Sequence, residues 1–218
     1  MSNAFSVDDR NRVRRRGQRG HYDRDTVYAI LDEGRICHVA FVVDGQPLAI
    51  PTIHARIDDC LYLHGSLANR MFAALCEGGP ASLTVTLVDG LVLARSAFHH
   101  SMNYRSAVVF GHATRVDDPI EKQQAFEALV ERIMPGRWDD SRQPNAEEVR
   151  STAVVRLPID QASAKIRAGD PVDDTEDLAL DCWAGVVPVV ERLGNPRPAA
   201  DLKAGVDTPP YLGRTRGQ

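Results

Sequence analysis

Residues 61–70, Leu61-Tyr-Leu-His-Gly-Ser-Leu-Ala-Asn-Arg70, are the stretch of this chain that decides its fold. Residues 61–63 predict a short β-strand, His64-Gly65-Ser66 predicts a break in it, and residues 67–76 have the apolar spacing of a helix. The first backbone N–H groups of such a helix have no partner within it and suit an anion. Ser66 stands at the N-cap position, and Arg70, one turn in, can reach the same point. The stretch predicts either a phosphate-binding turn or a capped helix with a solvated arginine.

The composition is that of a globular protein with one main domain. The chain has 218 residues, of which 43% are hydrophobic and 26% are charged, enough to bury a substantial core. No apolar run approaches the ~20 residues of a membrane span, and the N-terminus lacks the pattern of a secretory signal. The four cysteines are widely spaced, which favours reduced thiols over disulfides or a zinc site. We expect a cytoplasmic protein without a metal site and without membrane contact.

Residues 10–19, named the arginine segment below, contain six arginines and no acidic residue. The whole chain has 26 basic residues, so 20 of them remain against 30 acidic residues elsewhere. A basic segment can contact nucleic acid, but no second basic cluster or aromatic platform accompanies this one. The pattern favours an N-terminal extension that pairs with the acidic body, or with a partner subunit, over a nucleic-acid site.

Turn and cap signals divide the chain into short strands and a few helices. Asp23 can cap a helix over residues 24–33, and Asp118-Pro119 can open a helix of about fifteen residues. Asp44-Gly45 and Asp89-Gly90 each separate two β-rich runs and predict hairpins. The polar residues 96–106 predict a connection between strands.

These elements predict a small antiparallel β-barrel of six or seven strands with helices, a mainly β fold of the α+β class. A Rossmann fold is excluded, because the chain has no Gly-x-Gly-x-x-Gly motif and its strands do not alternate regularly with helices. We expect a basic N-terminal arm at residues 1–18, the barrel domain at residues 19–193 and a proline-rich tail at residues 194–218.

Several motifs occur together and in a recognisable order. They are Ala49-Ile-Pro-Thr-Ile53, Leu61-Tyr-Leu-His-Gly-Ser66, Asn69-Arg70, Val88-Asp-Gly-Leu-Val-Leu-Ala-Arg95 and Ser101-Met-Asn-Tyr-Arg-Ser-Ala-Val-Val-Phe-Gly111. Over roughly residues 18–190 the chain resembles the pyridoxamine 5′-phosphate oxidase-like, FMN-binding split-barrel superfamily. Within it, the chain is most similar to the branch of flavin-nucleotide-binding proteins that includes the nitroimidazole-resistance proteins.

The resemblance implies a homodimer with FMN in clefts between the subunits. The strand formed by Ala49, Ile50, Pro51, Thr52, Ile53 and His54 would follow the isoalloxazine edge. His64, Gly65 and Ser66 would line the path of the ribityl chain and phosphate, with Asn69 beside them and Arg70 paired with the phosphate. Ser106 stands where the oxidases commonly have a glutamine that reaches the flavin from the neighbouring subunit.

The chain departs from the authentic oxidases at the phosphate grip. Those proteins usually have Arg-Lys where this chain has Arg70-Met71, so the grip has one charge fewer. The Arg/His set that holds the phosphate of pyridoxal phosphate is not evident in this sequence. The flavin site is therefore expected, and vitamin B6 oxidation is not.

Two places carry side chains suited to chemistry. His64 is either a proton donor near the flavin, since imidazole titrates near neutral pH, or a hydrogen-bonded structural histidine. A polar loop either binds an anionic substrate or is a structural connection; its candidate residues are His99, His100, Asn103, Tyr104 and Arg105. Hydride transfer would belong to the flavin, so we expect no protein nucleophile.

The favoured function is an FMN-dependent oxidoreductase or reductase of a small organic molecule, supplied with electrons by NADH or NADPH. A flavin carrier or sensor without turnover is the second possibility. A split barrel that binds haem or a deazaflavin, as relatives in this superfamily do, is the third. Nucleic-acid binding through the arginine segment ranks last.

Overall fold

The computed structural model describes residues 3–213, which form two antiparallel sheets and four α-helices. The helices are α1 (Arg24–Glu33), α2 (Arg70–Cys76), α3 (Pro119–Ile133) and α4 (Ala146–Ser151). The strands are β1 (Gly20–His21), β2 (Ile36–Val43), β3 (Gln46–Ile53), β4 (Ala55–Ile57), β5 (Cys60–Ser66), β6 (Pro80–Leu93), β7 (Ser101–His112), β8 (Thr114–Arg115), β9 (Thr152–Pro158), β10 (Gln161–Arg167) and β11 (Gly185–Pro188).

The two sheets enclose one main core and form a barrel that does not close. The larger sheet has the order β1-β10-β7-β6-β2-β3, with β11 added to one end of β6, and the smaller sheet has the order β4-β5-β9-β8. The chain passes from the larger to the smaller sheet at His54, between β3 and β4. The predicted α+β class and barrel architecture are confirmed.

Both long helices begin at the residues that the sequence predicts. The Asp23 side chain accepts a hydrogen bond from the backbone N–H of Thr26 at 2.8 Å and caps α1, and Asp118 caps α3 ahead of Pro119. The inner face of α1 buries Val27, Ile30 and Leu31 against the larger sheet. Local capping and apolar spacing are thus sufficient to place these two elements.

The two predicted hairpins have different outcomes. Asp44 and Gly45 have φ values of 51° and 75° and form the tight turn between β2 and β3. Asp89-Gly90 forms no hairpin, because β6 continues to Leu93 and the register with β7 shifts at this point. A Cβ atom on Gly90 would lie 2.8 Å from Val186 Cγ1 of β11. The prediction of a hairpin here is wrong, since the glycine serves a β-bulge and the close approach of another strand.

The polar segment of residues 96–106 also differs from the prediction, because most of it is strand rather than loop. β7 begins at Ser101 and pairs with β6 on one side and β10 on the other. The prediction of a connection holds only for residues 96–100, which contain a short 3₁₀ turn over Ala97–His99.

The N-terminal residues pack on the barrel. Phe5 is 4% exposed and belongs to the main core. Asn11 is 2% exposed, and its Nδ2 donates to the carbonyl oxygens of Ser6 at 2.8 Å and of Ala162, in β10, at 3.2 Å. Because Asn11 fixes the chain on β10, the arginine segment starts from a defined point beside the larger sheet.

No helix within residues 3–213 is long and apolar enough to cross a membrane. All four cysteines are free thiols, with Cys37 buried and Cys182 exposed. Burial raises the pKa of Cys37 to about 12, so this thiol stays protonated at neutral pH.

His54, at the crossover between the sheets, makes stability depend on pH. Its side chain is fully buried, and Nε2 lies 2.9 Å from the carbonyl oxygen of Leu31. Burial, followed by the nearby charge of Arg132, lowers the pKa of His54. Below pH ~6.5 the imidazole of His54 is therefore protonated in the unfolded chain but stays neutral to lower pH in the folded chain. We expect the free energy of unfolding to fall from pH 7 to pH 5, by at most about 1.4 kcal/mol per pH unit for one imidazole.

Urea unfolding at several pH values measures this effect. The variant His54→Gln is expected to flatten the curve in this range, whatever its own stability. A curve of unchanged slope in His54→Gln would assign the dependence to other groups.

Candidate functional site

The turn between β5 and α2 differs from the prediction in its cap. β5 continues through Ser66, and α2 begins only at Arg70. The side chain of Asn69, not of Ser66, caps the helix by accepting from the N–H of Met71 at 2.8 Å. Ser66 Oγ instead accepts from the N–H of Ala68 at 3.2 Å. The predicted N-cap role of Ser66 is wrong, because three further residues form a turn before the helix starts.

Arg70 is exposed at the first position of α2. No carboxylate of residues 3–213 forms an ion pair with it. Its guanidinium group is therefore available to an anion, whereas the Asn69 side chain is already engaged in capping.

Gly65 is required by the packing of α2. A Cβ atom at this position would lie 2.2 Å from Cε2 of Phe72, which is 2% exposed in the main core. The space beside Gly65 is thus filled by an aromatic ring of the protein itself. The predicted contact of Gly65 with a ligand would have to come from its backbone.

The predicted isoalloxazine strand is an open edge of the larger sheet. Within residues 3–213, β3 pairs with β2 alone. Pro47 and Pro51 have no N–H, so their side of the strand is the unpaired one. Since backbone groups alternate along a strand, the open edge presents the N–H groups of Ala49 and Ile53, together with carbonyl oxygens. Ile50 and Thr52 are bonded to β2 in the same alternation.

The open edge of β3 and helix α2 are linked through β2 and the main core. α2 packs against β2, the neighbour of β3. Phe72 of α2 and Ile50 of β3 contact the same core. Both elements therefore pack on the main core, and the approach of Arg70 to the β3 edge stays a prediction.

His64 lies on the face of β5 that is covered by α3. Its ring is half-buried and meets Phe126 edge to face at a centroid distance of 6.3 Å. Nδ1 is buried without a hydrogen-bond partner within residues 3–213. Burial alone lowers the pKa of His64, so the ring is neutral at neutral pH. A neutral imidazole with an unused nitrogen suits a metal ligand better than a cationic acid.

Ser106 lies in the middle of the larger sheet, paired with Thr86 and Lys165. Three strand spacings, about 14 Å, separate its strand from β3. Within one protomer it does not reach a ligand on the open edge, so its predicted contact requires a second subunit.

The five predicted substrate residues do not form one cluster. Asn103 is 8% exposed and donates to the carbonyl oxygen of Gly169 at 3.1 Å. Arg105 binds Asp89 and Glu33, each with an oxygen at 2.7 Å from Nη2. These ion pairs raise the pKa of Arg105 and lower that of Glu33. Asn103 and Arg105 are therefore structural, and Tyr104 alternates to the opposite face of β7.

His99 and His100 line a cavity that the sequence did not predict. Its volume is about 610 Å³, and it lies between the arginine segment and one end of β7 and β10. Five cationic side chains line it: Arg15, Arg16, Arg19, Lys165 and Arg167. We name this site the basic cavity. The only sequence signal for it was the density of arginines, since Lys165 and Arg167 are about 150 residues away along the chain.

No group of three or more His, Cys, Asp or Glu side chains within residues 3–213 is arranged to hold a metal ion.

Comparison with known proteins identifies the class to which this barrel belongs. The sequence matches the family model for pyridoxamine 5′-phosphate oxidase over residues 23–166. Two open antiparallel sheets and this match define a protein of the flavin-binding split-barrel type, as the motifs predict. The chain belongs to the pyridoxamine 5′-phosphate oxidase family.

Two solved structures are similar over nearly the whole chain. The flavocytochrome Anf3 from Azotobacter vinelandii is 39% identical with a TM-score of 0.89, and the match covers 94% of this chain and 96% of that protein. The FAD and heme binding protein from Mycobacterium smegmatis is 38% identical with a TM-score of 0.85, covering 89% and 96% of the two chains.

A more distant structure shares the fold. A Bacteroides thetaiotaomicron protein named for 5-nitroimidazole antibiotic resistance is 23% identical with a TM-score of 0.57, covering 67% of this chain and 86% of that one. No curated protein matches the sequence.

Proposed function

We propose that this protein binds a flavin nucleotide along the open edge of β3, with the flavin phosphate on Arg70. Two observations carry the proposal: the unpaired backbone edge of β3, and an exposed arginine at the start of α2 that has no carboxylate partner within residues 3–213. The family match supports it, as does the similarity to a flavocytochrome and to an FAD and heme binding protein that are 39% and 38% identical.

The edge has the groups that an isoalloxazine ring needs. Such a ring carries one imide N–H and several oxygen and nitrogen acceptors. The open side of β3 offers both carbonyl acceptors and N–H donors, the latter at Ala49 and Ile53. Hydrogen bonds of this kind fix the orientation of a cofactor more than they add affinity.

The proposed assembly is a homodimer that completes the flavin cleft. The outer face of the larger sheet exposes apolar side chains on neighbouring strands, among them Ile36, Val42, Val88 and Met102 at 40–52% exposure. Such a face is typical of a surface that a second copy covers. Ser106 lies on the sheet that carries this face and would then approach the flavin of the other subunit.

The proposed activity is oxidation or reduction of a small organic molecule, with NADH or NADPH as electron donor. When bound, the flavin would supply the hydride chemistry. This chain's residues would hold the ring and phosphate and limit access of solvent. Anaerobic reduction of the purified protein by NADH or NADPH tests this activity, and failure of both donors would favour a flavin carrier.

Identification of the bound chromophore tests flavin binding directly. We expect purified protein to be yellow and to release FMN or FAD on denaturation, separable by chromatography. Colourless protein that also fails to bind added FMN and FAD would contradict the proposal.

Substitution of Arg70 by alanine is expected to weaken flavin binding about tenfold to a hundredfold. The reason is the loss of one charge-assisted hydrogen-bonded pair, worth roughly 1.5–3 kcal/mol. The dissociation constant is measured by the quenching of flavin fluorescence on binding to apoprotein. Arg150→Ala, another exposed arginine at a helix end, is the matched control and should bind flavin as the parent does. Equal affinity of Arg70→Ala and the parent would remove Arg70 from the phosphate site.

Haem is a second proposed ligand, in addition to flavin, and it rests on His64. The buried Nδ1 without a partner and the lowered pKa describe an imidazole that can ligate iron at neutral pH. The names of the flavocytochrome and of the FAD and heme binding protein support the same proposal. A Soret band in the purified protein tests it.

A further inference from the structure

The basic cavity concentrates positive charge without the acidic residues that normally accompany it. Among the residues that line it, five are Lys or Arg, two are His, and none is acidic. Within residues 3–213, Arg15, Arg16, Arg19 and Lys165 have no ion pair. Arg14, by contrast, points away to Asp9 at 3.4 Å. Mutual repulsion makes such an arrangement costly unless an anion occupies it.

Arg167 is the buried member of this group of cations. It is 6% exposed, and its Nη1 and Nη2 donate to the carbonyl oxygens of Gly169 at 3.0 Å and Asp170 at 3.1 Å. Burial and the neighbouring charge of Arg19 lower the pKa of Arg167. Arg167 thus adds to the cavity lining a positive charge that no carboxylate within residues 3–213 pairs with.

The arginine segment is held in position by its backbone. Arg16 has φ 57° and ψ 51°, a left-handed conformation that is unfavourable for a residue with a side chain. The following 3₁₀ turn over Gly17–Arg19 leads directly into β1, which pairs with β10 at Lys165. The positions of Arg16, Arg19 and Lys165 are therefore fixed relative to one another.

An exposed aromatic ring stands beside these cations. Phe98 lines the cavity and is 88% exposed, and its ring meets that of His99 edge to face at 5.3 Å. An apolar ring this open to water next to an anion site is typical of a platform on which a nucleobase stacks. His99 itself is held by Asp174 at 3.2 Å.

We propose that the basic cavity binds the adenosine diphosphate group of a dinucleotide. Its diphosphate would lie against Arg16, Arg19 and Lys165, and its adenine would stack on Phe98. The cavity volume of about 610 Å³ lies within the range of small-molecule sites, about 300–1,000 Å³.

The ADP group can come from FAD or from a nicotinamide dinucleotide. β10 is four strand spacings from β3, about 19 Å. The basic cavity is therefore separate from the proposed flavin edge of the same protomer. An FAD would have to extend across the subunit boundary, whereas NADH or NADPH would use the cavity as its own docking site.

Calorimetric titration of the purified protein, after its flavin has been identified, tests the proposal. The probes are ADP, adenosine, inorganic pyrophosphate and NADPH. In protein that contains FMN, we expect ADP to bind more tightly than adenosine or pyrophosphate, more weakly at high salt, and in competition with NADPH. In protein that contains FAD, we expect added ADP not to bind, because the cavity is filled.

Variants identify the residues. In FMN-containing protein, Arg16→Ala/Arg19→Ala is expected to weaken ADP binding about a hundredfold, and Phe98→Ala about tenfold. In FAD-containing protein, the same variants are expected to lower the affinity for FAD relative to FMN by the same factors. Phe98→Tyr should restore the parent affinity, because it keeps the stacking surface. Arg12→Ala/Arg14→Ala removes the same two charges from the arginine segment outside the cavity and should have little effect.

Two results would overturn the proposal. One is FMN-containing protein that does not bind ADP at millimolar concentration. The other is equal weakening by Arg12→Ala/Arg14→Ala and Arg16→Ala/Arg19→Ala, which would indicate net charge alone. Protein that binds ADP through these residues but holds no flavin would overturn the proposed function and leave this inference standing.

Discussion

Substitution of His64 by alanine is expected to abolish the Soret band of haem-containing protein while its flavin absorbance remains. His64 has a half-buried, neutral ring with an unused buried nitrogen, and iron bound by one imidazole is lost when that imidazole is removed. The measurement is the absorbance spectrum of protein purified in parallel from the parent and the variant.

Chemical rescue distinguishes a ligand from a structural residue. In His64→Gly, added imidazole should restore the Soret band, because it can occupy the space of the missing ring. His112→Ala is the control, since His112 is exposed and bonded to the carbonyl oxygen of Gly78 at 2.9 Å. A Soret band that persists in His64→Ala would place the iron ligand elsewhere.

Substitution of Gly65 by alanine is expected to destabilise the fold by about 1–3 kcal/mol. The new Cβ would lie 2.2–2.9 Å from three atoms of the Phe72 ring. Overpacking of a core typically lowers stability by this amount. Phe72→Ala, which empties the same space, should cost about 3–5 kcal/mol. Urea unfolding gives both values.

The double variant Gly65→Ala/Phe72→Leu tests the cause. Because the shorter side chain leaves room for the methyl group, the loss of unfolding free energy in the double variant should be smaller than the sum of the losses in the two single variants. Gly194→Ala is the matched control, as a Cβ there meets no atom within 4 Å. Strict additivity in the double variant would refute the steric explanation.

The elements that the sequence predicts correctly are those fixed by neighbouring residues. Asp23 and Asp118 cap α1 and α3 through bonds to residues three positions ahead. Asp44-Gly45 adopts the positive φ values that its composition favours. In each case the physical cause lies within one turn of chain, so a single sequence contains it.

The predictions that fail depend on distant residues. Asp89-Gly90 looks like Asp44-Gly45 in sequence, but β11, about 95 residues later, extends the sheet over it. Asn103 and Arg105 look like loop residues, yet Gly169 and Glu33 satisfy them inside a strand. Ser66 was predicted to cap α2, but the helix starts later, after Asn69, and Phe72 packs beside Gly65.

The candidate site shows the same division. Motif order predicted the family, whereas the basic cavity joins three separate parts of the chain. The unused nitrogen of His64 follows from how α3 covers β5, which no local pattern records.

The prolines of β3 also determine how copies of this protein can assemble. Pro47 and Pro51 interrupt the row of amide donors on the free border of the larger sheet. A second molecule cannot dock there as an additional strand with a full hydrogen-bond ladder. Association into continuous intermolecular sheets, the route to fibrils, is therefore blocked at this border.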